Sequence, residues 1–191
     1  MRPSVRFLPE GFDLFLVTPE RCRGIWEQYR TFRYITDDSS FPKTLSDEEN
    51  FARFCFWMAR PDSLFLQYGQ SGLVEAWNLI EGVRANVLVL FWDKKLKGRE
   101  IHGRRVAQWI VRVANLQRLQ ANICARNLAS IKFAIRMGFL EEGVIRQDWP
   151  ADGTFYDTHI YGALREEILA WPTEDAGEVP ELIGQGAAYG R

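Results

Sequence analysis

Three strand-like segments, about 63–68, 73–80 and 83–92, follow one another with turns too short to contain a helix. Strands joined in this way pair antiparallel, because a parallel crossover needs roughly a dozen residues or more. The third segment contains the run VLVLFW at 87–92, which is apolar on both faces. A run of this kind is typical of a strand in the middle of a sheet. The chain is therefore predicted to be built around a meander whose third strand is covered on both sides.

Helical and strand-like patterns alternate on either side of this meander. The periodicity and the helix-capping residues predict a strand and two helices before it, then a helix, a strand, a helix and two strands after it. The predicted segments are, in order, 12–17, 19–29 and 46–60, and then 103–115, 119–124, 127–137, 139–146 and 154–164. This order predicts an α/β (α+β) fold with a mixed, mostly antiparallel central sheet of about seven strands flanked by about four helices.

The length, net charge and cysteine content of the chain indicate which class of protein it belongs to. The 191 residues fit one domain, predicted at 1–165, with 166–191 forming a helix end and a flexible tail. A net charge of −1 gives no general attraction for nucleic acid or membranes. Three widely spaced cysteines form neither a zinc pattern nor a disulfide framework, and we see no signal peptide or membrane-length apolar run. We therefore expect a cytoplasmic protein without a metal site.

A basic segment, DKKLKGREIHGRRV at 93–106, lies between the buried strand and the start of a predicted helix. It contains six cations within twelve residues, with Glu100 as the acidic residue among them. Free backbone N–H groups and the helix dipole at such a place favour anions. The segment is either a cradle for a phosphorylated ligand or a solvated basic turn.

A second segment, NLASIKFAIRMGFLEEGVIR, covers 127–146 and joins a strand, a helix and a strand. Asn127 lies at the predicted helix start, and Gly138 lies just past its end. Taken alone, these residues need no ligand, because Asn127 is a good N-cap and Gly138 a common helix stop.

Together the two segments resemble the Gcn5-related N-acetyltransferases, and most nearly their ribosomal-protein N-terminal acetyltransferase branch. The resemblance covers the element order from Phe12 to Leu164, with residue-level support mostly between 87 and 146. The matching residues of the second segment are Asn127, Ser130, Lys132, Phe133, Gly138, Phe139, Glu142, Gly143 and Arg146.

The resemblance implies that acetyl-coenzyme A is the co-substrate. In that family a central strand parts from its neighbour, the pantetheine arm enters the gap, and the pyrophosphate lies on the loop after the strand. Here Phe91 and Trp92 would supply the backbone that pairs with the arm, while Asn127 and Ser130 would face it. The implied phosphate-binding residues are Lys97, Gly98, Arg99, Ile101, His102, Gly103 and Arg104.

The pattern departs from the family at the groups that do the chemistry. Glu100 and His102 occupy positions where family members have small residues that let the backbone approach phosphate, so the phosphate loop is degenerate relative to the family pattern. Ala134 occupies the position where many members have a tyrosine that acts as the general acid. Glu75 and Asp93 are the nearest candidates for the general base, and Ser130 is a candidate proton donor to the leaving thiolate.

These residues support an N-acetyltransferase that acts on a primary amine of a small molecule or a peptide. The alternative is a non-catalytic protein of the same fold that assembles or binds a partner, for which a self-associating tailed-phage protein is one setting. A third alternative is nucleic-acid binding by the basic segment. The acceptor would contact the loops at 30–44 and 148–155, which carry mixed charge and include Asp37 and Asp38.

Overall fold

A seven-stranded sheet organises the residues that the computed structural model describes, which are 8–31 and 40–174. The strand order across the sheet is β1-β2-β3-β4-β5-β7-β6. The strands are β1 (Phe12–Leu14), β2 (Leu64–Tyr68), β3 (Gly72–Ile80), β4 (Arg84–Phe91), β5 (Arg118–Cys124), β6 (Leu140–Ala151) and β7 (Thr154–Leu164). Every described pair is antiparallel except β4–β5, which is parallel. The predicted fold class and the central position of the VLVLFW strand are confirmed.

The described ranges contain five helices, one more than predicted. They are α1 (Pro19–Tyr29), α2 (Asp47–Met58), α3 (Arg99–Val113), α4 (Leu128–Met137) and α5 (Arg165–Ala170). The short α5 is the element that the sequence indicated only as a helix end. The Thr18 hydroxyl accepts a hydrogen bond from the Arg21 N–H at the start of α1, and Ser46 and Glu49 form a reciprocal capping box on α2.

Three predicted boundaries are wrong by three residues or more. Strand β1 ends at Leu14 rather than at residue 17. Helix α3 begins at Arg99 rather than at residue 103, because Gly98 adopts a left-handed conformation (φ 63°) that turns the chain into the helix. Strand β6 continues to Ala151, five residues beyond the predicted end, because the hairpin with β7 stays paired to its tip. The loop predicted at 30–44 and the tail beyond 174 lie largely outside the described residues, and Asp37 and Asp38 lie among those not described.

The helices cover opposite faces of the sheet. Buried side chains of α1 and α2, among them Trp26 and Phe54, pack on one face. Those of α3, α4 and α5, among them Ile110 and Met137, pack on the other. Within the described ranges, none of the helices is both long enough and apolar enough to cross a membrane.

Candidate active site

Strands β4 and β5 pair over three residues and then separate. In the parallel register, residues Arg84–Asn86 pair with residues Arg118–Gln120. Beyond this pairing, β4 continues to Phe91 and β5 continues to Cys124. The Trp92 N–H donates to the Ser71 carbonyl on the β3 side, at 3.0 Å. Because backbone groups alternate along a strand, the amides of Val87, Val89 and Phe91 face the gap. The predicted opening is confirmed. Of the two residues predicted to pair with a ligand there, Phe91 faces the gap and Trp92 does not.

A cavity of about 840 Å³ fills this opening and extends to both faces of the sheet. Residues 87–89 and 121–124 line it from the two parted strands, and α2 and α4 contribute on opposite faces. Asn127 and Ser130 of α4 lie in its lining, as predicted for residues that face an acyl-pantetheine arm. The Asn127 side chain also caps α4 by accepting from the Ser130 N–H at 3.1 Å, so Asn127 is an N-cap as well as a residue of the cavity lining.

The start of α3, together with the loop before it, forms what we call the helix end of the site (residues 93–101). The first helical hydrogen bond runs from the His102 N–H to the Gly98 carbonyl, and no side chain caps the helix. The amides of Arg99, Glu100 and Ile101 therefore point out of the first turn. Among the described residues, the exposed ammonium groups of Lys94, Lys95 and Lys97 form no hydrogen bond or ion pair with protein groups. This arrangement suits an anion.

Three predicted phosphate ligands take part in other contacts in the structure. The His102 ring lies 4.5 Å from the Tyr68 ring, and its Nε2 is 3.1 Å from the Tyr68 hydroxyl. Burial, assisted by the charge of Arg105, lowers the pKa of His102. Gly103 lies inside α3, where a Cβ would approach the Met137 sulfur to 2.7 Å, so it allows α3 and α4 to pack closely. Arg104 donates to the Met137 carbonyl at the end of α4.

Two further candidates maintain the loop itself. The Arg99 guanidinium donates to the carbonyls of Asp93 and Leu96, at 2.8 and 3.2 Å. The Asp93 carboxylate accepts from the Lys95 N–H at 2.9 Å and from the Ser71 hydroxyl at 3.3 Å. Asp93 belongs to the helix end but does not line the cavity, so the structure does not bring this candidate base beside Glu75.

Glu100, the acidic residue among the six cations of the basic segment, forms an ion pair between α3 and α4. Its carboxylate accepts from Arg136 of α4 at 2.6 Å. Its charge is therefore balanced by a cation that the basic segment does not contain.

Glu75 is the ionisable group deepest in the cavity. It lies on β3 opposite Leu88, is 1% exposed, and accepts from the Arg60 guanidinium at 2.6 Å. Burial raises the pKa of Glu75 to about 8, although Arg60 opposes the shift. A carboxyl group with such a pKa exchanges its proton near neutral pH, which is the property required of a general base.

Aromatic side chains surround Glu75 and form what we call the aromatic end of the site. They come from α1, the segment before α2, α2, β3 and β6, and they are Tyr29, Phe41, Phe56, Trp57, Trp77 and Trp149. The tip of the β6–β7 hairpin is fixed beside them, because Asp152 pairs with Lys43 and with Arg126. No local pattern predicts that these rings meet, because they are distributed over 120 residues of the sequence.

Thr158 of β7 is a further site residue that sequence reasoning missed. It is 1% exposed, lies opposite Cys124 and lines the cavity, and its hydroxyl has no hydrogen-bond partner in the described structure. A lone threonine on a strand carries no functional signal. Only the β5–β7 register brings it beside the end of β5, near Asn127.

Comparison with solved structures assigns this architecture. The spermidine N-acetyltransferase from Vibrio cholerae, solved with CoA and spermine, is 16% identical to this chain with a TM-score of 0.65, and the match covers 84% of this chain and 99% of the enzyme. The chain has the Gcn5-related N-acetyltransferase fold. The microcin C7 self-immunity acetyltransferase MccE, solved with acetyl-CoA and AMP, shares this fold at 16% identity and a TM-score of 0.58, over 82% of this chain and 93% of MccE.

Sequence comparison adds one short match. A protein described as an uncharacterised N-acetyltransferase, YoaA of Bacillus subtilis (strain 168), is 40% identical over 50 residues. The match covers 26% of this chain and 28% of YoaA. No protein-family model matches the chain.

Proposed function

We propose that this protein is an acetyl-coenzyme A-dependent N-acetyltransferase that transfers the acetyl group directly to a primary amine. The observation that carries the proposal is the parting of β4 from β5 after Asn86. It leaves an unpaired strand edge between an uncapped helix start and a buried carboxyl group, Glu75. The solved structures of this fold that contain CoA or acetyl-CoA support the choice of co-substrate.

The residues present fit the parts of the co-substrate. An amide-containing arm would pair with the backbone of Val89 and Phe91 as an added strand pairs with a sheet edge. The pyrophosphate would accept from the amides of 99–101, assisted by Lys95 and Lys97. Within this proposal the degenerate loop still binds phosphate, because Arg136 balances the charge of Glu100.

The proposed chemistry begins at Glu75, which accepts a proton from the acceptor's ammonium group. The freed amine nitrogen attacks the thioester carbonyl carbon, the C–N bond forms, and the C–S bond breaks. The nitrogen loses its second proton as the amide forms, the departing thiolate takes up one proton and leaves as coenzyme A, and the proton on Glu75 is released to solvent. Holding both reactants in one cavity supplies proximity, and the raised pKa of Glu75 matches its role near neutral pH.

Two hydroxyl groups of the cavity are the proposed donors toward the acyl and sulfur atoms. Ser130 lies in the first turn of α4, Thr158 of β7 lies opposite Cys124, and both line the cavity. They would replace the tyrosine whose position Ala134 occupies. The proposed role of Asp93 is to hold the loop rather than to accept a proton.

The resemblance of 127–146 to the ribosomal-protein N-terminal acetyltransferase branch remains part of the proposal. These residues form the co-substrate side of the cavity, so the resemblance concerns coenzyme A binding and does not specify the acceptor.

Isothermal titration calorimetry with acetyl-coenzyme A tests the proposal, followed by detection of released thiol in the presence of primary amines. We expect saturable binding and amine-dependent release of coenzyme A. No heat and no thermal stabilisation at millimolar acetyl-coenzyme A would contradict the proposal and favour a non-catalytic, partner-binding role.

A further inference from the structure

The aromatic end of the cavity differs from what a highly charged acceptor requires. Six rings line it, and several contact one another: Tyr29 lies 5.3 Å from Trp57 and 5.9 Å from Phe41, between ring centroids. Phe56 lines the cavity while 80% exposed. An apolar side chain so exposed at a cavity mouth offers a flat surface to a ligand.

Charge is sparse among the described residues of the lining. Glu75 is the buried acid, and Asp148 and Arg53 are exposed acidic and basic groups. A polyamine carries several ammonium groups, and each needs a carboxylate or water when it leaves solvent. Among the described residues of the lining, the buried interior offers one carboxyl group, and Arg60 shares it. The described part of the lining therefore suits a ligand with one ammonium group.

The rings and the single carboxylate together define one class of ligand. Aromatic faces attract both flat apolar groups and a nearby cation, so a ring joined by a short chain to an ammonium group satisfies both features. The volume of about 840 Å³ lies within the range of small-molecule sites, with room for an acyl arm and such an amine.

We infer that the acceptor is a primary amine carried on an aromatic group, with a single positive charge, and not a polyamine. The inference rests on the proposed function, because it assigns the acceptor of that same site. The ring would lie against Phe56, Trp57 and Trp149, and the amine would point toward Glu75.

The test compares amines at saturating acetyl-coenzyme A. Initial rates are measured for tryptamine, 2-phenylethylamine, butylamine, spermidine and a short peptide with a free N-terminus. We expect kcat/KM for the aromatic amines to exceed that for spermidine at least tenfold. A higher kcat/KM for spermidine or the peptide than for either aromatic amine would overturn the inference.

A matched pair of variants locates the effect. Phe56→Ala removes an exposed ring at the cavity, and Leu16→Ala removes an apolar side chain that is 68% exposed and does not line it. Phe56→Ala should lower kcat/KM for 2-phenylethylamine about 3- to 10-fold and change that for butylamine less. Leu16→Ala should change neither. Equal effects of the two variants would contradict the assignment.

Failure of the inference is distinguishable from failure of the proposed function. Acetyl-coenzyme A binding is measured separately by calorimetry. If it is absent, tryptamine is titrated into the protein alone. Binding that Phe56→Ala weakens supports an aromatic-amine site in a protein without transferase activity, and no binding overturns it.

Discussion

The helix end and the aromatic end of the site are built in opposite ways. The helix end comes from one continuous stretch, 93–101, and its binding groups are backbone amides and exposed lysines. The aromatic end gathers rings from five separate segments around one buried carboxyl group. The difference teaches that a site suited to an anion can be encoded locally, whereas a pocket of aromatic rings around a buried carboxyl group depends on the whole tertiary structure.

The largest effect should come from the aromatic end. Glu75→Gln removes the proposed base while keeping its shape, and we expect kcat/KM to fall about 10²- to 10³-fold. Binding of acetyl-coenzyme A should be unchanged, because Glu75 is remote from the amides of 99–101. Steady-state kinetics and calorimetry check the two halves of this prediction. The control is Glu48→Gln, which breaks an exposed ion pair with Arg23 and should leave both values unchanged.

The pH dependence of kcat/KM tests the same assignment, that Glu75 is the general base. Because burial raises the pKa of Glu75 to about 8, kcat/KM should increase with pH up to that value, and Glu75→Gln should abolish the increase. A profile that is the same in both proteins would exclude Glu75 as the base.

The free energy of unfolding should fall over the pH range in which kcat/KM rises. The folded protein binds a proton at Glu75 that the unfolded chain releases above its ordinary pKa of 4.5. The free energy of unfolding should therefore fall as pH rises from 4.5 to about 8, in comparison with Glu75→Gln at each pH. Chemical denaturation at several pH values measures this, and a difference that does not vary across the window would contradict it.

A smaller effect is expected at the helix end. Lys95→Gln with Lys97→Gln should weaken acetyl-coenzyme A binding about 5- to 10-fold at low salt and less at high salt. The charge-matched control is Arg84→Gln with Arg112→Gln, which alters exposed cations at the opposite end of α3. Equal losses in the two double variants would show that net charge, and not the helix end, governs binding.

Thr158→Val separates function from stability. The substitution removes a buried hydroxyl without a partner, so the melting temperature should stay the same or rise. If the hydroxyl donates to the acyl group or the sulfur, kcat should fall about tenfold with little change in coenzyme A affinity. Unchanged kcat would remove Thr158 from the proposed mechanism.

The smallest effects concern the ion pair between Glu100 and Arg136. Glu100→Gln should change acetyl-coenzyme A affinity by less than about threefold, because its charge is already balanced. Arg136→Gln should weaken binding more, since it leaves the carboxylate unpaired near the phosphates. A large gain in affinity from Glu100→Gln would instead mean that Glu100 repels the co-substrate in the native protein.

Local signals explain which features the sequence revealed. The meander, the capping box at Ser46 and the glycine that ends α4 all lie in short stretches whose chemistry dictates their structure. The predicted start of α3 differs from the observed start by four residues. The sequence alone does not show whether a glycine in a basic loop ends that loop or lies within it. The close approach of Gly103 to Met137 joins two helices, and no local pattern in the sequence indicates it.

The chemistry of the site depended on contacts between distant segments. Glu75 was foreseen as a candidate because it lies on the strand beside VLVLFW, but its partner Arg60 and its raised pKa arise only on folding. Thr158 and the six rings required the strand register and the packing of α2 beside the sheet.

A crystal structure with coenzyme A bound tests the central claim most directly. The account predicts that the pantetheine amides pair with the backbone of Val89 and Phe91 in the gap beside β5, and that the pyrophosphate lies on the amides of 99–101. Coenzyme A bound elsewhere, or a gap that closes with β4 paired to β5 along its length, would contradict it.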